Sequence, residues 1–290
     1  MKIENTPDAR PQAGLATADV VYEQVTEGDI TRFIALFNSQ IPDVVGPIRS
    51  VREMDPDVVS PLGGIFAYSG GIPTTVDLIN AAPVNAVDEP KAGTAMFRDN
   101  TKYAPHNLYG HAADLIALGG RPVPIVPLFP YVGANEKFSG DPVLSVNVGF
   151  PSGYAVDYAY DAASNTWRRS MAGTPFVDTS GAQVAPTNVV VQFVGCCIGQ
   201  FEGARYQTVG SGAAWIFSAG QLVKGTWQRS AATQVTQFVD TAGQPIALTP
   251  GRTWVEFVPD GTPVNVVPGP PVTTLAPPPT AAARPTTKKK

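Results

Sequence analysis

Apolar and polar positions alternate in short runs along the first 120 residues, as expected for strands joined by tight turns. Residues 20–26 and 30–37 are rich in β-branched and aromatic side chains, and Glu27-Gly28-Asp29 between them favours a turn. Residues 64–68 form a compact apolar run that stops at Ser69-Gly70-Gly71. The pattern therefore predicts a hairpin in the first region and a buried strand in the second.

Capping residues and prolines mark the predicted helices of this region. Asp55-Pro56 indicates a short helix to about Ser60, and Thr74 or Thr75 starts another to about Ala82. A strand is expected at residues 94–97, and Asn107 is predicted to cap a helix from Leu108 to Leu118. Because strands and helices alternate, residues 1–122 are predicted to form an α/β-like domain whose loops gather at one edge of a sheet.

Beyond a proline-punctuated connector at residues 123–142, the pattern changes to strands alone. The predicted strands are 143–150, 154–160, 165–170, 188–194, 206–217, 221–228, 235–239 and 253–258. Residues 143–267 are therefore predicted to form a mostly antiparallel β domain, which makes the whole chain an α+β protein. Residues 268–290 are rich in Pro, Thr and Ala and are predicted to be a disordered tail.

Charge and hydropathy argue against two classes of function. The chain of 290 residues carries a net charge of −4, while residues 268–290 contain Arg284, three lysines and no acid. The remaining body is therefore more acidic than the whole chain, whereas nucleic-acid binding requires a basic face. No apolar run approaches the roughly 18 residues that a membrane-spanning helix requires. We expect neither nucleic-acid binding nor a transmembrane segment.

The cysteines and histidines do not form a metal-binding pattern. Cys196 and Cys197 are adjacent, and neighbouring Cα atoms lie about 3.8 Å apart, below the usual disulfide range. The two cysteines are therefore either ordinary thiols or partners in a strained disulfide. His106 and His111 with Asp114 lack a third good ligand and the usual spacing. We predict no metal and no cofactor.

Charged residues are scarce in this chain but dense between Ala95 and Tyr109. They make up 15% of the sequence, against about 25% in an average globular protein. Guanidinium groups bind phosphate or carboxylate through paired hydrogen bonds, and helix N-termini favour anions. Alternatively, the cationic side chains of this region pair with the nearby acids Glu53, Asp55, Asp57 and Asp99 and bind no ligand. The candidate ligand-binding residues are Arg49, Arg52, Arg98, Lys102, His106 and Asn107.

A serine hydrolase is the alternative interpretation of the same region. Ser69 follows a buried-type strand and precedes Gly-Gly and a helix, as a nucleophile elbow does, although Ala67 replaces the first glycine of that motif. His106 would then act as the base, with Asp99 or Asp55 as the orienting carboxylate. A tight turn without a catalytic role would show the same residues. A further alternative is a pair of catalytic carboxylates like that of a glycosidase, drawn from Glu4, Glu23, Glu27 and Asp29.

A set of short motifs occurs in a fixed order along residues 1–260. They are Lys2–Leu15, Val21–Glu23, Ile30–Phe33, Gly46–Ser50, Ser69–Gly71, Phe97–Asp99, Ala104–Tyr109, Gly210–Gly212, Lys224–Trp227, Leu248–Gly251 and Thr253–Val255. Together they resemble the YerB-like bacterial lipoprotein family, whose defining region is a domain of unknown function. The resemblance implies an extracytoplasmic, cell-envelope protein that is exported and lipid-anchored or secreted. A signal peptide and an anchoring cysteine do not precede these motifs here, so a truncated sequence and a native start at Met1 both remain open.

The resemblance leaves the activity open, so two function hypotheses follow. The first is a binding or scaffolding module of the envelope, with phosphate, a teichoic-type polymer or a carboxylated cell-wall fragment as ligand, or an envelope protein as partner. The second is a hydrolase that uses Ser69 and His106 on a cell-wall or phosphoester substrate.

Overall fold

Strands of two to nine residues make up most of the fold, and the helices are short. The structure, a computed structural model, describes residues 1–119, 127–151, 153–195 and 205–270. Cys196, Cys197 and most of the predicted tail lie outside these residues, and so does part of the predicted connector. The described chain is therefore a mostly β protein, rather than an even mixture of helices and strands.

The elements are named in chain order. The strands are β1 (Lys2–Glu4), β2 (Val20–Val25), β3 (Thr31–Leu36), β4 (Val44–Val45), β5 (Ile65–Ala67), β6 (Asn85–Val87), β7 (Met96–Arg98), β8 (Leu108–His111), β9 (Asp141–Val148), β10 (Val156–Asp161), β11 (Thr166–Met171), β12 (Thr174–Pro175), β13 (Asn188–Val194), β14 (Gly210–Ser218), β15 (Gln221–Arg229), β16 (Gln237–Val239), β17 (Thr253–Pro259) and β18 (Val264–Pro268). The α-helices are α1 (Asp55–Val59), α2 (Pro73–Ala81), α3 (Glu89–Ala92) and α4 (Ala112–Ala117).

One large sheet runs through both halves of the chain. Its strand order is β1-β3-β2-β17-β13-β14-β15-β9-β10-β11-β12, with β16 beside β15 and β18 beside β9. The predicted hairpin is confirmed, since β2 and β3 pair antiparallel around Gly28, whose φ is 71°. β2 also pairs with β17 in parallel, so strands of the first predicted domain lie in the same sheet as strands of the second.

The α/β character of the first half is confined to a small unit. β5 and β6 pair in parallel, and α2 lies between them in the chain. A separate three-stranded sheet has the order β4-β8-β7. The second half is mostly antiparallel, as predicted, except that β13 pairs with β17 in parallel.

The predicted helix over residues 108–118 is wrong in its first turn. Leu108 to His111 form β8, which pairs with β7 on one side and β4 on the other, and α4 begins only at Ala112. Asn107 therefore caps no helix. Its side chain instead accepts a hydrogen bond from Arg98 Nη1 at 2.9 Å. Pairing with two distant strands overrides the local capping signal, since propensity is a weak prior against tertiary contacts.

Aromatic side chains from several strands of the large sheet, β3, β11, β14 and β17 among them, pack together in its core. Phe33 and Trp254 pack edge to face with ring centroids 5.2 Å apart, and Trp167 meets Phe217 at 5.7 Å. The guanidinium of Arg169 lies among these rings, 4.7 Å from the centroid of Trp254. Because β1–β3 contribute one face to this core, their opposite face carries the polar side chains described next.

Candidate functional site

Charged side chains line one face of the first three strands. Lys2 and Glu4 are two residues apart on β1, so they point to the same side of the sheet. Arg32 on β3 stands opposite Glu4, and Gln24 on β2 stands opposite Arg32. All four residues are buried. Buried charges are rare unless they are paired, so this face is a candidate for a built site.

An extended segment from Gly46 to Val51 runs alongside β1. Glu4 N donates to Pro47 O at 2.9 Å and Arg49 N donates to Lys2 O at 3.0 Å, which fixes the segment along β1. On its other side, Ser69 N donates to Arg49 O at 3.0 Å. A Cβ atom at Gly46 would lie 2.8 Å from the Tyr109 ring, so only glycine allows this approach to β8.

The Glu4 carboxylate is the centre of the site. Its Oε1 lies 3.0 Å from Arg49 Nε and 3.0 Å from His106 Nδ1, and it accepts a hydrogen bond from Thr6 Oγ1 at 2.9 Å. An ionised carboxylate only accepts hydrogen bonds, so Nδ1 carries the hydrogen and Nε2 is left for other contacts. Nε2 lies 4.0 Å from an oxygen of Asp8.

Exposure differs sharply between this carboxylate and the two side chains that it holds. The Glu4 side chain is 1% exposed, while Arg49 is 19% and His106 is 14% exposed. The second carboxylate oxygen, Oε2, has no hydrogen-bond partner among the described residues. A buried carboxylate therefore presents one guanidinium and one imidazole side by side at the surface.

Further charges continue along the same face. Glu27 pairs with both Arg32 and Arg52, and Asp55 accepts hydrogen bonds from Lys2 Nζ at 2.7 Å and from Gln24 Nε2 at 2.6 Å. Burial lowers the pKa of Lys2 to about 8. Burial and then the nearby Arg49 lower the pKa of Arg32 to about 10. Four cationic side chains thus face the carboxylates of Glu4, Glu27 and Asp55, and a fourth carboxylate, that of Asp8, lies beside His106, so the formal charges of this face balance.

The structure divides the predicted anion-binding residues into separate groups. Arg49 and His106 share Glu4, whereas Arg98 pairs with Glu89 and holds Asn107. Within the described ranges, no hydrogen bond or ion pair joins these two groups. Lys102 Nζ donates to Ala9 O at 3.1 Å, and Arg52 pairs with Glu27 further along the face that carries Glu4. The carboxylates that pair with Arg49 and Arg98 are not the sequence neighbours proposed as alternative partners.

The proposed hydrolase residues do not form a triad in the described part of the chain. Ser69 Oγ lies 3.5 Å from Ser50 Oγ and makes no hydrogen bond with His106. Asp99 accepts hydrogen bonds from the side chain and backbone of Thr101, which lower its pKa. The carboxylate that orients His106 is Glu4. The serine hydrolase stays a prediction that none of these contacts supports.

The described residues contain no cluster of three or more His, Cys, Asp or Glu side chains that could hold a metal ion. The second histidine, His111, stacks on Phe97 with ring centroids 4.6 Å apart. Of the helices that the structure describes, none has the length and apolar character needed to cross a bilayer.

Sequence reasoning did not place Glu4 and Arg32 in the binding site. The available signal is their position inside short strands, where Lys2 and Glu4 alternate with Ile3, and Arg32 stands between Thr31 and Phe33. Charged residues at strand positions that face the protein interior indicate a polar network or a site.

Family profiles match both halves of the chain. Residues 1–120 match the N-terminal domain, and residues 146–255 the C-terminal domain, of a family described as "Protein of unknown function (DUF3048)". The chain belongs to the DUF3048 family. The Bacillus subtilis (strain 168) protein named "Putative lipoprotein YerB" is 29% identical over 279 residues, which cover 89% of this chain and 80% of that protein.

A solved structure shows the same fold. The crystal structure of YerB from Bacillus subtilis superposes with a TM-score of 0.78 at 25% sequence identity, and the match covers 91% of this chain and 92% of that chain. The YerB-like resemblance of the sequence motifs is therefore confirmed. Neither the family description nor the names of these relatives states a ligand or a reaction.

Proposed function

We propose that this DUF3048 chain is an extracytoplasmic, cell-envelope binding protein whose Glu4–Arg49–His106 site holds an anionic group of an envelope ligand. The observation that carries the proposal is the arrangement of Arg49 and His106. The buried Glu4 carboxylate lies 3.0 Å from a nitrogen of each side chain, in an ion pair with Arg49 and in hydrogen-bond contact with His106, and both side chains remain partly exposed. Fixed donors lose little conformational freedom on binding, so such a site favours a small anion. The envelope location is supported by the name of the Bacillus relative as a lipoprotein.

The chemistry of the site favours a phosphate or carboxylate that also carries hydroxyl groups. Arg49 and His106 supply donors for the anion, and the guanidinium groups of Arg32 and Arg52 lie further along the same face. The exposed carboxylate of Asp8, which lies 4.0 Å from His106 Nε2, is an acceptor that a ligand hydroxyl can reach. Polyol phosphates of the teichoic type and carboxylated cell-wall sugars both combine these groups.

Binding of sn-glycerol 3-phosphate and of inorganic phosphate, measured by isothermal titration calorimetry, tests the proposal. Arg49→Lys keeps the charge that pairs with Glu4 but loses the guanidinium fork, so affinity should fall by about tenfold or more. Arg98→Ala should change affinity by less than about twofold, because Arg98 belongs to the separate group on Glu89. Arg168→Ala removes an exposed guanidinium that pairs with Asp161 on the β-rich half, and it is the matched control.

Replacement of His106 gives a second test of the same site. His106→Ala removes the imidazole that lies beside Arg49 on Glu4, so phosphate affinity should fall by about tenfold. Arg98→Ala should leave it within about twofold of wild type. If wild type binds neither anion, or if Arg98→Ala weakens binding as much as Arg49→Lys, the site is wrong. A scaffold that contacts a protein partner would then be the better account.

A further inference from the structure

A large cleft lies away from the Glu4 site. Its volume is about 1090 Å³, and none of Glu4, Arg49 and His106 lines it. One wall comes from β3, β5 and α4, with Ile34, Phe66 and Leu115 among its residues. The opposite wall includes Leu128 and Val235, from the second half of the chain. Pockets that hold small molecules typically measure about 300–1,000 Å³, so the cleft is large enough for a sizeable ligand.

The described lining of the cleft is almost free of charge. It contains no Lys, Arg, His or Glu, and its single acid is Asp19. The Asp19 carboxylate already accepts hydrogen bonds from Asn38 N at 2.6 Å, from Ser39 N at 2.8 Å and from the Ser39 hydroxyl. The Ser60 hydroxyl donates to Pro56 O at 2.6 Å. These polar groups are therefore satisfied within the protein, and the rest of the lining offers mainly apolar contact.

Large apolar side chains also stand exposed along the cleft. Ile41 is 42%, Ile116 is 50% and Tyr131 is 40% exposed, and all three line it. Exposed apolar groups gathered around a concavity are uncommon in a soluble protein and mark a place where another apolar group binds. The apolar surface thus continues from the interior of the cleft to its opening.

We propose that this cleft binds the fatty acyl chain of a lipid and leaves the charged headgroup outside. A hydrocarbon chain needs no hydrogen bonds, which matches a described lining that is mainly apolar and whose single carboxylate, Asp19, is already engaged. A peptide would bring backbone N–H and C=O groups into the cleft, where leaving them without partners costs free energy. The described lining offers no lysine, arginine or histidine side chain to an anionic group. Its one amino group, that of Met1, donates to Ala35 O at 2.7 Å, and burial lowers its pKa to about 5, so this site differs from the one around Glu4.

The test uses the full chain and a dansyl-labelled undecanoic acid as a fluorescent probe. Wild type should bind the probe saturably at one site, and palmitate should displace it while butyrate does not. Ile116→Glu places a carboxylate where the chain enters and should weaken probe binding by about tenfold or more. Ile41→Glu should act in the same direction. Leu144→Glu is the matched control, because Leu144 is also 50% exposed but lies on β9 outside the cleft lining.

The possible results separate the alternatives. All three substitutions replace exposed side chains, so thermal midpoints close to that of wild type are expected and confirm that the fold is intact. If wild type shows no saturable binding, or if Leu144→Glu weakens binding as much as Ile116→Glu, the proposal is overturned. It is also overturned if palmitate fails to displace the probe while Ile116→Glu abolishes a dimer seen by sedimentation. That result would assign the cleft to a second copy of the chain.

Discussion

A buried pair of glutamates gives the sharpest prediction about stability. Glu23 on β2 and Glu256 on β17 are direct partners across parallel strands, and both are fully buried. Arg169 Nη2 donates to Glu23 at 2.7 Å, and the Tyr158 hydroxyl donates to Glu256. One guanidinium thus faces two carboxyl groups. Because a second buried negative charge would lack a cationic partner, the folded protein should retain one proton on this pair.

The direction of the Glu256 pKa shift agrees with one proton retained on the pair. Burial, and then the neighbouring Glu23 carboxylate, raise the pKa of Glu256 well above its ordinary value. A raised pKa in the folded state contributes stability that is fully present below the unfolded value, about 4.3 for glutamate, and is lost as the pH rises through the folded value. One retained proton corresponds to a loss of about 1.4 kcal/mol per pH unit in that window.

Glu256→Gln mimics the protonated acid and should remove this loss. We expect the unfolding free energy of the variant minus that of wild type to increase by about 1.4 kcal/mol per pH unit above pH 5, until Glu256 ionises. Urea unfolding of both proteins at pH 5, 6, 7 and 8 measures the difference, in which other titrating groups cancel. Glu89→Gln makes the same chemical change in an ion pair near the surface, so it serves as the control. A difference that stays constant from pH 5 to 8 would refute the reasoning.

Three further substitutions test other parts of the structure. Arg169→Met leaves Glu23 without its cationic partner and should lower the unfolding free energy by about 3–5 kcal/mol in urea titrations. Gly46→Ala places a methyl group 2.8 Å from the Tyr109 ring, so a loss of about 1–3 kcal/mol is expected in the same assay. Fluorophosphonate labelling should be the same for wild type and Ser69→Ala, because Ser69 makes no hydrogen bond with His106 in the described residues; labelling lost in Ser69→Ala would restore the hydrolase hypothesis.

Elements set by local sequence were predictable. The β2–β3 hairpin has a glycine at positive φ between its two β-branched runs. α1 lies within one residue of its predicted start, although its N-cap is Met54 and the Asp55 side chain does not cap it. Most strands of the second half were also predicted, since turn residues separate them clearly. The short strands β1, β6, β12 and β18 were missed because two to five residues carry too little pattern to identify a strand.

Features that depend on distant partners were not predictable. Leu108 looks like the start of a capped helix, but β4 and β7 recruit it into a sheet. The candidate site depends even more on long-range contacts, since His106 meets Glu4 from a position 102 residues further along the chain. Sequence reasoning selected Arg49 and His106 by residue type, but it grouped them with Arg98 and Asn107, which the fold places in a separate cluster.

The most direct measurement of the central claim uses the two histidines of the chain. Selective isotope labelling of histidine gives one set of imidazole NMR signals for His106 and one for His111, which Gln substitutions assign. His111 stacks on Phe97 and is the internal control. Titration with sn-glycerol 3-phosphate should shift the His106 signals saturably and leave the His111 signals in place. If the signals of both histidines remain unchanged, or if they move together without saturation, the result contradicts an anion-binding site at Glu4, Arg49 and His106.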